Sequence, residues 1–279
     1  MLIIDQSVLD DIGKGFFVPA QPKLLVELLK LMAKPTPDIN AISDAISKDI
    51  AVSAAVLKTI NSSLYGLSRT VTDIRMSVKY IGIYGILMLV TGSLLKKSFD
   101  PKTCSIDLDN FWQLTSDISS LSILLGQRFR PNIAKDKFFS LGLFHACGIP
   151  VMAIKYPDYQ AVLEQALTTP ETALVEIEEK KYQVNHATIG YFVASSWRLP
   201  KDLCNIILQH CERDFLGTLD GSEAQDIFAV LKLSENIASI KHHGCESADW
   251  FYVRTQVQAL LEVTDEELES LMNELIAAI

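Results

Sequence analysis

Histidine and cysteine are the residues of this chain whose types and spacing could do chemistry, and there are five of each. His145 stands two positions before Cys147, and His210 directly precedes Cys211. Imidazole and thiolate are ligands that borderline-soft transition metals accept. The same residues also serve a plainer purpose in cores, where a buried His bonds a backbone carbonyl and a Cys packs as a small hydrophobe. His242-His243-Gly244-Cys245 groups metal-type side chains too, yet Gly after a basic run is how an exposed helix end stops. Asn61, Ser62 and Tyr65 are candidates for binding a partner or ligand. Their structural reading is that Asn and Ser satisfy backbone groups at a helix end while Tyr65 anchors the loop by packing. Phosphate-loop chemistry is not expected, because Gly13-Lys14-Gly15 lacks the P-loop spacing and its terminal Lys-Ser/Thr. No GxSxG nucleophile elbow occurs.

The elements that must position these residues read as helices throughout. Pro22 opens a segment with Leu24, Leu25, Leu28, Leu31 and Met32 on one side, and Pro35 and Pro37 stop it. Asp38 is placed to cap a helix with Ile39, Ile42 and Ile46. Ala51, Val52, Ala55, Val56 and Ile60 form the stripe of the next, and Thr72 or Asp73 caps one carrying Met76, Val78, Ile81 and Ile83. The polar segment from Ser98 to Asp109 divides the chain, giving an expected N-terminal helical part (1–105) and a longer C-terminal part (106–279). In the latter, a helix is expected from about Leu108 to Phe129. An apolar helix follows from Phe138 to about Met152, with Pro150 capping or kinking it. Thr169-Pro170-Glu171 looks like a helix start, followed by an acidic, solvent-facing stretch from Glu176 to Lys181. Further helices are expected from about Asn185 to Trp197 and from Lys201 to Glu212. Ser222-Glu223-Ala224-Gln225 and Thr264-Asp265-Glu266-Glu267 are capping-box patterns. The fold class is all-α.

Composition narrows the function classes. The formal net charge is −9, from 25 basic and 34 acidic residues. Nucleic-acid binding usually rests on clustered basic side chains that displace counterions, and here the basic pairs are isolated, so nucleic acid is not an expected partner. No stretch of 18 uncharged apolar residues is found, so membrane insertion is not expected. The run from Ile81 to Leu95 reads as a buried helix instead. The N-terminal sequence MLIIDQSVLDD has an early acid and no basic n-region, unlike a signal peptide. Five scattered cysteines without a CxxC favour reduced thiols and a cytoplasmic setting.

Several motifs in order carry a resemblance. Lys48-Asp49-Ile50 precedes a small-residue helix, then comes Asn61-Ser62-Ser63-Leu64-Tyr65-Gly66, then a helix containing Ile81-Gly82. Further on stand Gly142-Leu143-Phe144-His145-Ala146-Cys147-Gly148, Val184-Asn185-His186-Ala187-Thr188-Ile189-Gly190, Trp197-Arg198-Leu199-Pro200, Ile207-Leu208-Gln209-His210 and Leu233-Ser234-Glu235-Asn236. Together these resemble the HDOD family, bacterial signalling modules related to the HD phosphohydrolases, over roughly residues 15 to 240. The chain departs from the family pattern where Lys48-Asp49-Ile50 replaces Gln-Asp-Pro and Ile81-Gly82 replaces Leu-Gly.

The resemblance implies a multi-helix HDOD architecture, with an N-terminal helical bundle packed on a degenerate HD-like core. An active HD enzyme holds a divalent metal with a His, an adjacent His-Asp pair and a late Asp, and the metal activates water for attack on phosphorus. Carried onto this sequence, the first His falls near Leu114, the doublet is His145 followed by Ala146, and the late Asp is Glu235. Loss of the doublet carboxylate should remove most affinity for hard cations. HD relatives with two metals place further histidines at the later motifs, so His145, His186, His210 and Glu235 form a candidate metal set suited to zinc, iron or nickel. No cofactor is otherwise expected. The first function implied is a non-catalytic signal-transduction or adaptor protein with protein partners in a bacterial pathway, receiving a partner segment or small ligand. The alternative is a metal-dependent phosphohydrolase or phosphodiesterase with an altered ligand set.

Overall fold

Local signals place most helix starts. In the computed structural model, which describes residues 15–169, 172–217 and 221–278, the regular elements among the described residues are helical. Asp38 accepts from the Asn40 N–H at the head of α2 (Ile39–Ser47), and Asp49 from Val52 at the head of α3 (Ile50–Ile60). Asp73, rather than Thr72, caps α4 (Ile74–Lys97) by accepting from Met76. Each carboxylate satisfies an amide that the helix's own ladder leaves unpaired. Helix α1 (Lys23–Met32) follows Pro22, whose fixed φ suits a helix entry.

The chain packs as two compact units, a smaller one of Pro19–Asp100 and a larger one formed by the rest. In the smaller unit α1, α2 and α3 pack against α4, burying Leu25, Leu28, Ile42, Ile46, Val52, Val56 and Ile60. Asn61 closes the loop after α3. Its side-chain amide donates to the Val71 carbonyl at 2.8 Å, and its oxygen accepts from the Val71 N–H at 2.7 Å. The Ser62 hydroxyl donates to the Thr59 carbonyl at 2.7 Å. Both hydrogen-bonding ends of Asn61 are therefore used within the chain. Asn61→Ala is expected to cost about 1–2 kcal/mol, two ordinary hydrogen bonds, read as a lower urea midpoint for this unit. An unchanged midpoint would show that the loop closes without them.

The larger unit contains α5 (Leu108–Phe129), α6 (Lys135–Phe144), α7 (Ile149–Lys155), α8 (Tyr159–Thr168), α9 (Leu174–Tyr182), α10 (His186–Ser196), α11 (Lys201–Gln209), α12 (Glu223–His243), α13 (Trp250–Leu261) and α14 (Asp265–Ala278). Helices α5, α6 and α12 pack together, α10 lies on α11, and α12 also packs on α13. Thr264 and Glu267 form a full capping box. The Glu267 N–H donates to the Thr264 hydroxyl at 3.2 Å, and the Thr264 N–H donates to the Glu267 carboxylate at 2.9 Å.

Three expectations need correction. The apolar stretch expected as one helix from Phe138 to Met152 is two, α6 and α7, separated at His145–Gly148. Pro150 sits in the first turn of α7, where its missing N–H costs nothing. The turn between α6 and α7 has no room for a side chain at Gly148, where a Cβ would lie 2.0 Å from the His186 carbonyl oxygen. The Glu176–Lys181 stretch is not wholly solvent-facing, because Glu178 is fully buried. Helix α11 ends at Gln209, so His210 is its C-terminal cap instead of an internal residue. The N-terminal signal-peptide reading and the Pro170-Glu171 helix start fall outside the described residues. Ile74–Lys97 and Lys135–Lys155 are apolar and long enough to pass a length test for a membrane span, yet 61% and 72% of their windows are buried in the fold. Gly82, at φ 75°, interrupts the first, and the His145–Gly148 turn interrupts the second. They serve as core helices.

Candidate functional site

Helix ends deliver the three histidines. His145 is the C-terminal cap of α6, His210 that of α11, and His186 is the first residue of α10, behind Asn185, whose side chain accepts from the Thr188 N–H. All three are buried. His210 lies between the others, its ring centroid 5.5 Å from that of His145 and 5.3 Å from that of His186, both edge to face.

Each ring has its Nδ1 committed. His145 Nδ1 is 2.8 Å from the Gly142 carbonyl, and His210 Nδ1 is 2.7 Å from the Ile207 carbonyl. A carbonyl only accepts, so both Nδ1 atoms carry protons. His186 Nδ1 is 2.8 Å from the Glu178 carboxylate, which also accepts the His186 N–H at 3.0 Å. The Tyr159 hydroxyl donates to the other Glu178 oxygen. With Nδ1 donating, Nε2 of each ring is left for the space between them. His186 Nε2 is 3.4 Å from His210 Nε2 and 3.6 Å from Cys211 Sγ. His145 Nε2 is 3.3 Å from Glu235 Oε1.

Behind Glu235 lies an ammonium that the sequence reading did not single out. Lys232 Nζ is 2.8 Å from Glu235 Oε2 and 3.0 Å from Asp249 Oδ2, with its side chain only 2% exposed. Burial opposes its charge, but the Glu235 and Asp249 carboxylates outweigh burial and hold the ammonium above its ordinary pKa. Burial pushes His210 well below its usual value, helped by the positive charges of Lys232 and His186. His145 is also pushed down by burial, with Glu235 opposing. For His186 burial acts in the same direction, yet the Glu178 carboxylate overrides it and raises the ring well above the ordinary range. Burial pushes the Cys211 thiol up, opposed by His186. At neutral pH the site thus contains an imidazolium–carboxylate pair, two neutral imidazoles, a thiol, and a lysine clamped between two acids.

These groups face a cleft of about 560 Å³. His145, His186, His210, Cys211, Glu235 and Asp249 line it, together with Leu114 and Ala146. Its walls are largely apolar, from Ile106, Phe111, Ile118, Ile149, Leu163 and Leu167. The structure therefore brings all four members of the candidate metal set to one cleft. Cys147 does not join them, because it is buried with its thiol 3.5 Å from the Gly190 carbonyl. His242 stands among the cleft-lining residues with Nε2 2.8 Å from Asp117 Oδ2, and Gly244 ends α12 at φ 72°. Asn61, Ser62 and Tyr65 belong to the other unit. Sequence reasoning missed Glu178, Lys232 and Asp249. For Lys232 a signal existed, since it is the only charged residue in the otherwise apolar run Ile227–Leu233.

An all-helical bundle with histidines gathered at helix ends around an apolar cleft is the HD-like phosphohydrolase fold. The HDOD domain model matches residues 18–213, and the chain belongs to that family. An uncharacterized protein of Treponema pallidum is 24% identical over 197 residues, which is 69% of this chain and 37% of that protein. The chain thus spans little more than a third of that relative. A crystal structure of a phosphohydrolase candidate from Shewanella amazonensis matches with TM-score 0.68 and 21% identity, covering 97% of this chain and 93% of its own. One of a signal-transduction candidate from Marinobacter aquaeolei matches with TM-score 0.69 and 18% identity, covering 99% of this chain and 60% of its own.

The divalent metal of an active HD enzyme does not fit the residues at its four expected positions. Leu114 and Ala146 line the cleft and have no donor atom, and Glu235 is already ion-paired to Lys232. A hard cation requires several oxygen ligands free of competing positive charge. The Lys232 ammonium supplies that competing charge at 2.8 Å from the remaining carboxylate.

Proposed function

We propose that this chain is a non-catalytic HDOD-type signal-transduction module of the bacterial cytoplasm, acting as an adaptor by binding other proteins. The observation that carries this reading is Lys232, fixed between Glu235 and Asp249. A held ammonium neutralises Glu235, the carboxylate that a phosphohydrolase would use for a metal, and it does so without chemistry of its own. The apolar cleft above it is suited to receiving a partner side chain or small ligand. The net charge of −9 agrees with protein contacts over nucleic acid.

The second reading, a metal-dependent phosphohydrolase with an altered ligand set, is favoured by the gathering of His145, His186 and His210 at one cleft. The two are separated by a turnover screen. Purified protein supplied in turn with magnesium, manganese, zinc, iron(II) or nickel is expected to hydrolyse phosphomonoesters, phosphodiesters and cyclic dinucleotides at the rate of buffer alone. Metal-dependent hydrolysis that His145→Ala abolishes would overturn the adaptor reading.

A further inference from the structure

The His186–His210–Cys211 corner of the cleft has a geometry that the Lys232 side lacks. We infer that these three side chains form a zinc site, with two imidazole nitrogens and one thiolate as ligands and the fourth position opening into the cleft. The three ligand atoms all lie within 4.8 Å of one another. Zinc takes nitrogen at about 2.0–2.1 Å and thiolate sulfur at about 2.3 Å, so a tetrahedral centre separates two nitrogens by about 3.4 Å and a nitrogen from the sulfur by about 3.6 Å. The His186–His210 Nε2 separation is 3.4 Å and the His186 Nε2–Cys211 Sγ separation is 3.6 Å. Both are edges of such a tetrahedron.

The surroundings of the ligands agree. A ligating His ordinarily gives its other ring N–H to a carboxylate or backbone carbonyl, which fixes the tautomer and aims the lone pair. His186 gives its Nδ1–H to Glu178, and His210 gives its own to Ile207. Cys211 follows the C-terminal cap of α11, half-buried, on the cleft wall. A thiolate with two imidazoles is a soft donor set, which selects zinc over magnesium or manganese. This site is distinct from the His145–Glu235 side, where Lys232 already supplies the positive charge. Binding zinc here releases two protons to solvent, one from the Cys211 thiol and one from Nε2 of the His186 imidazolium, whose Nδ1–H stays on Glu178, and it needs no carboxylate ligand.

Cobalt(II) is the probe, because it occupies zinc sites and reports a thiolate ligand directly. Full-length, tag-free protein is stripped with chelator, kept reduced, and titrated with cobalt(II). One equivalent is expected to bind with visible d–d bands of a four-coordinate ion and a near-ultraviolet thiolate-to-cobalt charge-transfer band. Zinc should then abolish both. Cys211→Ser should lose the charge-transfer band and at least tenfold in zinc affinity, and His210→Gln should weaken binding without removing the band. Circular dichroism establishes that each variant is folded. Failure of the wild-type protein to take up cobalt or zinc overturns the inference, as does a charge-transfer band that survives in Cys211→Ser. The readout is independent of turnover. Zinc binding without hydrolysis leaves both this site and the adaptor reading standing, while zinc-dependent hydrolysis overturns only the adaptor reading.

Discussion

Lys232→Met is expected to destabilise the larger unit by about 3–5 kcal/mol at pH 7, the range for removing one partner from a buried ion pair. Methionine fills much of the same volume, so the loss reports charge and not a cavity. Glu235 and Asp249, each paired to the ammonium, would be left mostly buried without a counter-charge. Because Glu235 and Asp249 outweigh the effect of burial, the folded pKa of Lys232 lies above its unfolded value. Stability from such a group is complete below the unfolded value, about 10.4, and fades only as pH rises through the folded one. The wild-type protein therefore holds the full contribution at neutral pH. In Lys232→Met, acidification should instead relieve part of the loss, since protonating a stranded carboxylate removes its charge. Adding Glu235→Gln should recover part of it at pH 7. Urea midpoints measured across pH check all three, and a Lys232→Met midpoint equal to wild type would show that the lysine is not a clamp.

What the sequence made legible was whatever is encoded locally. The span of α5, Leu108–Phe129, follows from its apolar period, and Asp38 and the Thr264–Glu267 box from capping chemistry. The all-helical class follows from the same signals. The break at His145–Gly148 was not legible, because the run from Phe138 to Met152 is apolar and suits one continuous helix. Nor was the close approach of the His186 backbone to Gly148 in that turn, a contact between residues far apart in sequence.

The site divides in the same way. His145, His186, His210 and Glu235 could be picked by their resemblance to a known pattern, although nothing local says that they share a cleft. Glu178 was hidden for the opposite reason. It lies in the polar sequence Glu176–Lys181, which signals a solvent-facing helix, yet its one turn of inward exposure is met by Tyr159 and His186. Asp249 lies outside any helical pattern, just before α13, and becomes informative only when Lys232 is seen against it. Periodicity reports which face of a helix is buried. It does not report which buried charge has a partner.

Glu178→Ala is expected to cost about 3–5 kcal/mol, and Glu178→Gln less, because the two substitutions remove different things. Alanine leaves three donors without an acceptor, namely the His186 N–H, its Nδ1–H and the Tyr159 hydroxyl. Glutamine keeps an oxygen for His186 and can turn its amide to the Tyr159 hydroxyl, which accepts as well as donates. The charge is lost, and with it the acceptor of the Tyr159 O–H. That charge is what raises His186 against burial. A raised histidine contributes stability that is whole below its unfolded value, about 6.5, and is lost as pH rises through the folded value. Chelator-treated wild-type protein should therefore lose stability as pH increases above neutrality, and Glu178→Gln should not. In the variant the largest influence opposing burial is gone and only Cys211 remains, so the His186 ring should lose its proton at a lower pH than in wild type, followed by its imidazole NMR resonances. A His186 that titrates at the same pH in wild type and Glu178→Gln would mean that the buried carboxylate serves only as a hydrogen-bond acceptor. The difference matters for the cleft, because in the metal-free protein an imidazolium held by Glu178 places a positive charge beside His210 and Cys211, and a metal ion must displace its Nε2 proton to bind there.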